Sequence, residues 1–124
     1  METLPVMKNL APDIFRKRLL AEGYFTIDVN EQTLVDFFQH LTSQLSLKTY
    51  GAPIVHTTGG AGKAENQGYD AFVPLIDSGI YIAVWQQQSF MSMIIYTCKD
   101  FPEDQALTVT KSYFGISEIA SSLF

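Results

Sequence analysis

Ser78 and Cys98, with Asp77 immediately before the serine, are the residues of this chain best suited to chemistry. A hydroxyl and a thiol are both nucleophiles, and a thiol with an ordinary pKa near 8.5 can also deliver a proton. Ser78 follows a strand-like run over residues 69–76. It precedes two further apolar runs, 80–85 and 90–98, and the second ends on the sequence's one cysteine. Gln86-Gln87-Gln88-Ser89 reads as a polar hairpin loop between those two runs. An antiparallel hairpin there returns Cys98 to the Gly79 end, so the spacing predicts that thiol and hydroxyl lie together. Strand alternation puts Asp70, Phe72, Pro74, Ile76 and Ser78 on one side. The same spacing also suits a small buried cysteine and a turn serine.

The elements that must hold these residues can be read from the periodicities. Residues 1–16 read as an N-terminal arm with Pro5 and Pro12, and 17–124 as a single domain. Residues 19–25 read as a first strand. Asn30 can cap a helix, with Thr33 in its first turn and Leu34, Phe37, Phe38, Leu41 and Leu45 along one face. Residues 49–57 read as a second strand, with Pro53 marking an edge or bulge. Gly59-Gly60-Ala61-Gly62 opens a loop running to Gly68. Pro102-Glu103-Asp104 suits a helix N-terminus and Gly115 its end, leaving residues 116–120 as a last short strand. No βαβ unit repeats. The pattern predicts an α/β (α+β) two-layer sandwich, an antiparallel sheet with helices on one face.

Composition narrows the function classes. The chain has 124 residues, 47% of them hydrophobic, and a formal net charge of −5. That argues for one globular domain and against disorder. Net acidity argues against nucleic acid, since three clustered cations at Arg16-Lys17-Arg18 do not make a phosphate-binding patch. A P-loop fails because Gly62-Lys63 is followed by Ala64, and a dinucleotide fingerprint fails because Glu65 stands where glycine is needed. His40 and His56 do not join Cys98 in a zinc spacing, and no metal is expected. No apolar run approaches the ~20 residues of a membrane span, and the N-terminus lacks signal-peptide regions. The expectation is a cytoplasmic protein with no membrane partner.

Asp77-Ser78-Gly79, Trp85 and Thr97-Cys98, spaced around a polar hairpin after a strand and an amphipathic helix, resemble the bacterial pyruvoyl-dependent S-adenosylmethionine decarboxylases. The likeness spans about residues 17–120. It implies that the Ser78 hydroxyl attacks the Asp77 carbonyl, that the chain is cut there, and that Ser78 becomes a pyruvoyl cofactor. That ketone takes up the substrate amine and draws off the electrons left by departing CO₂, and Cys98 returns a proton. It also implies a homodimer and a place in polyamine synthesis, with S-adenosylmethionine or a related amino acid as substrate. Glu65, Asp70 and Asp77 would attract a cationic ligand, and Tyr69, Tyr24 or Trp85 could stack an adenine, although loop carboxylates and aromatic packing explain the same residues. The sequence departs from the family pattern at Gly79 and Ala83, where the family carries histidines, and at Asp70, where it carries a serine. Asp70 or His56 could supply the missing base. An uncleaved, non-enzymatic homologue that binds a cationic ligand or a partner protein is the alternative.

Overall fold

The computed structural model describes residues 7–58 and 67–124. Eight elements follow in order: β1 (Lys17–Tyr24), α1 (Glu31–Gln44), β2 (Ile54–Thr57), β3 (Gly68–Leu75), β4 (Ser78–Trp85), β5 (Phe90–Thr97), α2 (Glu103–Phe114) and β6 (Ala120–Leu123). The six strands form one sheet in the order β2-β3-β4-β5-β1-β6, with every neighbouring pair antiparallel. β3, β4 and β5 form a meander, and β1 docks on the outer side of β5 in register from Lys17↔Thr97 to Tyr24↔Phe90. The antiparallel two-layer architecture read from the sequence is the one observed.

Helix α1 starts where its cap dictates. The Asn30 side chain accepts the Thr33 amide at 3.0 Å, and the Thr33 hydroxyl accepts the Asn30 amide at 3.1 Å. This reciprocal pair satisfies two of the donors that a helix start leaves open. Leu34, Phe37, Phe38 and Leu41 then recur at helical spacing and are buried. α2 carries Glu103 and Asp104 in its first turn and closes on Gly115 at φ 65°, a left-handed conformation that glycine adopts without penalty. Lys17 clips the start of α2 to β1, with its ammonium 2.9 Å from Asp100 and 2.8 Å from Glu103 and lying over the Phe101 ring. Burial pulls the Lys17 pKa down, but the hydrogen bonds and charges of Glu103 and Asp100 outweigh it and leave it raised.

The two faces of the sheet differ in composition, as period-two alternation requires. Leu19, Ala21, Ala71, Val73, Leu75, Ile80, Ile82, Val84, Met91, Met93 and Ile95 point to the helices and are buried with Phe37, Phe38 and Phe114. Among the described residues no helix lies over the other face. It shows Ile54, Phe72, Tyr81 and Tyr96, each 40% or more exposed.

Three boundaries depart from the sequence reading. The second strand begins at Ile54 instead of residue 49. The stretch before it touches the sheet through one bridge, Thr49↔Leu75, with Tyr50 N donating to Pro74 O and Ile76 N to Lys48 O, both at 3.0 Å. The last strand lies at 120–123, pairing with β1, because Ile116 is instead buried beside Gly23. The chain also turns at Ile76-Asp77, so Ser78 already belongs to β4.

Candidate functional site

Leu75 pairs with Ser78, so Ile76 and Asp77 form a two-residue turn between β3 and β4. Asp77 takes φ 60°, a region few non-glycine residues occupy and one that aspartate tolerates better than most. The turn shifts the phase of the chain. Ser78 lies opposite Leu75 and Thr97 and aligns with Ile80 and Ile82, whereas Asp70, Phe72 and Pro74 point to the open face. The continuous alternation from Asp70 to Ser78 expected from the sequence therefore breaks at the turn.

Cys98 returns to Ser78 as the hairpin requires, and the contact that the structure shows is made by its backbone amide. Antiparallel pairing sets Ser78 opposite Thr97, and the next amide, that of Cys98, donates to Ser78 Oγ at 3.3 Å. The same N–H donates to the Asp77 carbonyl oxygen, also at 3.3 Å. One donor thus faces both the hydroxyl and the carbonyl of the Asp77-Ser78 peptide. Thr97 Oγ1 donates to Lys99 O at 2.6 Å and fixes the chain as it leaves β5. The cleft beside these groups has a volume of about 360 Å³ and is lined by Ser46, Leu47, Lys48, Leu75, Ile76, Asp77, Ser78, Cys98 and Lys99.

Trp85, Tyr69 and Asp70 lie away from this cleft. Trp85 ends β4 opposite Gly68 and Phe90, seven residues from Ser78, or about 23 Å along a strand. It packs on Phe90, which in turn meets Tyr24. Tyr69 pairs with Val84 at that same end and packs against the core from the helix side. Asp70 sits on the open face in a row that runs His56↔Asp70↔Ala83↔Ser92↔Glu22 across five strands. Asp70 accepts the Tyr81 hydroxyl at 2.8 Å. Burial, the Asp70 hydrogen bond and its charge push the Tyr81 pKa up to about 12. Glu65 lies outside the described residues. Of the acids expected around the serine, Asp77 lines the cleft and Asp70 does not.

Two residues at the cleft were not singled out from the sequence: Lys48 and Lys99. Lys99 directly follows Cys98 and could have been read from that adjacency. Lys48 comes from the connection after α1, and its approach follows only from the bridge at Thr49. Gly79 has a local cause. A Cβ there would lie 2.8 Å and 2.9 Å from the edge of the Phe72 ring, so this ring occupies the space a side chain at position 79 would need. Among the described residues no three His, Cys, Asp or Glu side chains gather as a metal site, and no helix is long and apolar enough to cross a membrane.

Comparison with known proteins agrees with this fold. The fold is similar to that of the crystal structure of the adenosylmethionine decarboxylase from Aquifex aeolicus VF5. The TM-score is 0.71 at 16% identity, over 90% of this chain and 89% of that one. No curated protein matches the sequence. Residues 20–123 match the family model of S-adenosylmethionine decarboxylase, a span that includes Asp77, Ser78 and Cys98. The chain belongs to the S-adenosylmethionine decarboxylase family.

Proposed function

We propose that this chain cuts itself between Asp77 and Ser78 and acts as a pyruvoyl-dependent decarboxylase of S-adenosylmethionine or a related amino acid, feeding polyamine synthesis. The observation that carries this reading is the Cys98 amide, which lies 3.3 Å from both the Asp77 oxygen and Ser78 Oγ. Attack by Oγ on the Asp77 carbonyl carbon places negative charge on that oxygen, where a fixed N–H donor stabilises it. The peptide C–N bond then breaks, leaving an ester and a free amine on Ser78. Removal of the Ser78 α-proton expels the Asp77 carboxylate, and water releases ammonia to leave the ketone. The residues at the cleft fit such a group at position 78, and when present it supplies an electron sink for decarboxylation. Cys98, beside it, is the group to return a proton to the product carbon.

Among the described residues, no histidine and no carboxylate besides Asp77 lines the cleft to take the α-proton. Ala83 is a methyl, and it lies five residues from Ser78, about 17 Å along β4. Asp70 and His56 share its row and its distance. A homodimer, which the family resemblance implies, is part of this reading, and Phe72, Tyr81 and Tyr96 on the open face are the exposed apolar surface that a second copy would cover.

A specific contact favours the second reading, an uncleaved homologue that binds a ligand or a partner protein. Asp70, the expected substitute for the missing base, lies in the row about 17 Å from Ser78 and accepts the Tyr81 hydroxyl at 2.8 Å instead. Intact mass under denaturing conditions separates the two. Fragments 1–77 and 78–124, the latter beginning in a pyruvoyl group, establish the processed enzyme. A single full-length species, stable over days, overturns it in favour of the binding protein.

A further inference from the structure

Thr97 is the last residue of β5 and stands between two partners, Lys17 on β1 and Ser78 on β4. It is 0% exposed, and its hydroxyl donates to the Lys99 carbonyl oxygen at 2.6 Å. A buried hydroxyl needs an acceptor, and the one taken here lies two residues along its own chain. The bond therefore closes a ring of atoms, and the Cys98 nitrogen belongs to that ring. Closing it limits rotation of the Thr97-Cys98 peptide and so sets the direction of the Cys98 N–H. That N–H faces the Asp77 oxygen and Ser78 Oγ, 3.3 Å from each. Both bonds are long for N–H···O, so little further rotation is needed to lose them.

Other contacts hold the rest of the segment. Lys17 Nζ donates to Phe101 O at 2.6 Å, the Phe101 amide donates to Asp100 Oδ1 at 2.9 Å, and Phe101 is buried. The segment thus has fastenings besides the Thr97 hydroxyl, whose own bond spans the Cys98 amide. Thr97 has one hydroxyl proton, committed to Lys99 O, and none to give the Asp77 oxygen. Its influence on that oxygen passes through the amide.

We infer that Thr97 is a positioning residue, whose hydroxyl, by holding the Lys99 carbonyl, aims the Cys98 amide at the oxygen of the Asp77-Ser78 peptide. The consequence for cutting rests on the proposed self-cleavage, in which negative charge develops on that oxygen. Removing such a donor outright costs about 10²–10³ in rate, and turning it aside is expected to cost about ten- to thirtyfold.

Thr97→Val keeps the shape of the side chain and removes the hydroxyl, Thr97→Ala removes it without the valine methyl, and Thr97→Ser keeps it. Thr110→Val is the control, since Thr110 is also 0% exposed and its hydroxyl donates to Ala106 O at 2.8 Å within α2. Fragments 1–77 and 78–124 are followed by intact mass from the moment of cell-free synthesis. Thr97→Val and Thr97→Ala are expected to slow their appearance by that about ten- to thirtyfold, and Thr97→Ser to stay within about threefold of the unaltered chain. Thr110→Val is expected to lower the melting temperature and leave the rate unchanged. Hydrogen exchange of the Cys98 amide is read by NMR in a Ser78→Ala background, where the chain stays whole whichever reading of function holds. There Thr97→Val is expected to speed that exchange about tenfold beyond any change at neighbouring strand amides, and Thr97→Ser to restore it. Cleavage of folded Thr97→Val at the unaltered rate overturns the inference. So does an equal loss in Thr97→Ser, and so does unchanged exchange at Cys98. An unaltered chain that stays whole removes the decarboxylase instead, and the exchange measurement then decides by itself whether Thr97 aims the amide.

Discussion

Both ends of strand β4 enter antiparallel hairpins, and they carry opposite contents. At the Ser78 end a two-residue turn holds Asp77 at positive φ, one backbone amide faces a hydroxyl and a carbonyl, and Lys48 and Lys99 line the cleft. At the Trp85 end a four-residue loop joins Trp85 to Phe90, Tyr24 covers Phe90, and Gln86 Nε2 donates to Val29 O at 2.6 Å. One end exposes reactive groups, and the other uses its polar atoms to fasten a loop. Chemistry and packing are thus segregated along about 23 Å of a single strand.

The largest effect expected of this division is on cleavage. Under the proposed reaction Ser78→Ala abolishes the two fragments completely, while Trp85→Ala leaves them and lowers stability by about 1–2 kcal/mol for a half-buried ring. Loss of cleavage in folded Trp85→Ala would join the two ends into one site and break the comparison. Gln86→Ala is next, expected to cost about 1 kcal/mol through the unpartnered Val29 carbonyl, read as a lower denaturant midpoint with an unchanged slope. Gly79→Ala sharpens the other end. Its new methyl must push the Phe72 ring aside, which costs about 0.5–1.5 kcal/mol and is relieved by Phe72→Ala in the same chain. The smallest effect lies at Asp100. The Lys17 hydrogen bond and charge hold its carboxyl below the usual value. That contribution is present above the ordinary carboxylate pKa and is lost as pH falls through the lowered one. Asp100→Asn is therefore expected to lower the melting temperature slightly at neutral pH and, having no such contribution to lose, to shallow its fall on the acid side.

Much of this division was legible in the sequence, and the illegible part has a physical cause. The polar run 86–89 announced the hairpin, and counting from it placed Cys98 at Ser78. The Asn30 cap and the spacing from Leu34 to Leu41 announced α1. Strand phase was harder. A turn at Ile76-Asp77 has no glycine or asparagine to mark it, since aspartate takes the left-handed position itself, and shifting the turn by one residue moves Ser78 to the other face. Trp85 and Tyr69 were grouped with the serine because both suit adenine stacking. Residue type gives no information about which end of a strand a side chain occupies. Lys48 was invisible for a similar reason, because its approach depends on one long-range bridge across 26 residues, Thr49↔Leu75.

The lengths of the strands bear on how copies of this protein can meet. The interior strands β1, β3, β4 and β5 have eight residues each, while the edges β2 and β6 have four. Beyond β2 the border passes to the backbone of Lys48 and Tyr50, and Pro74 sits at that junction. Its carbonyl accepts from Tyr50, so the N–H it lacks is missing on the border side and the ladder to β4 keeps its bonds. A visiting strand would find four residues of template at either rim and then no continuous row of amides. Among the described residues the rims are thus short, which discourages fibre-like growth by strand addition.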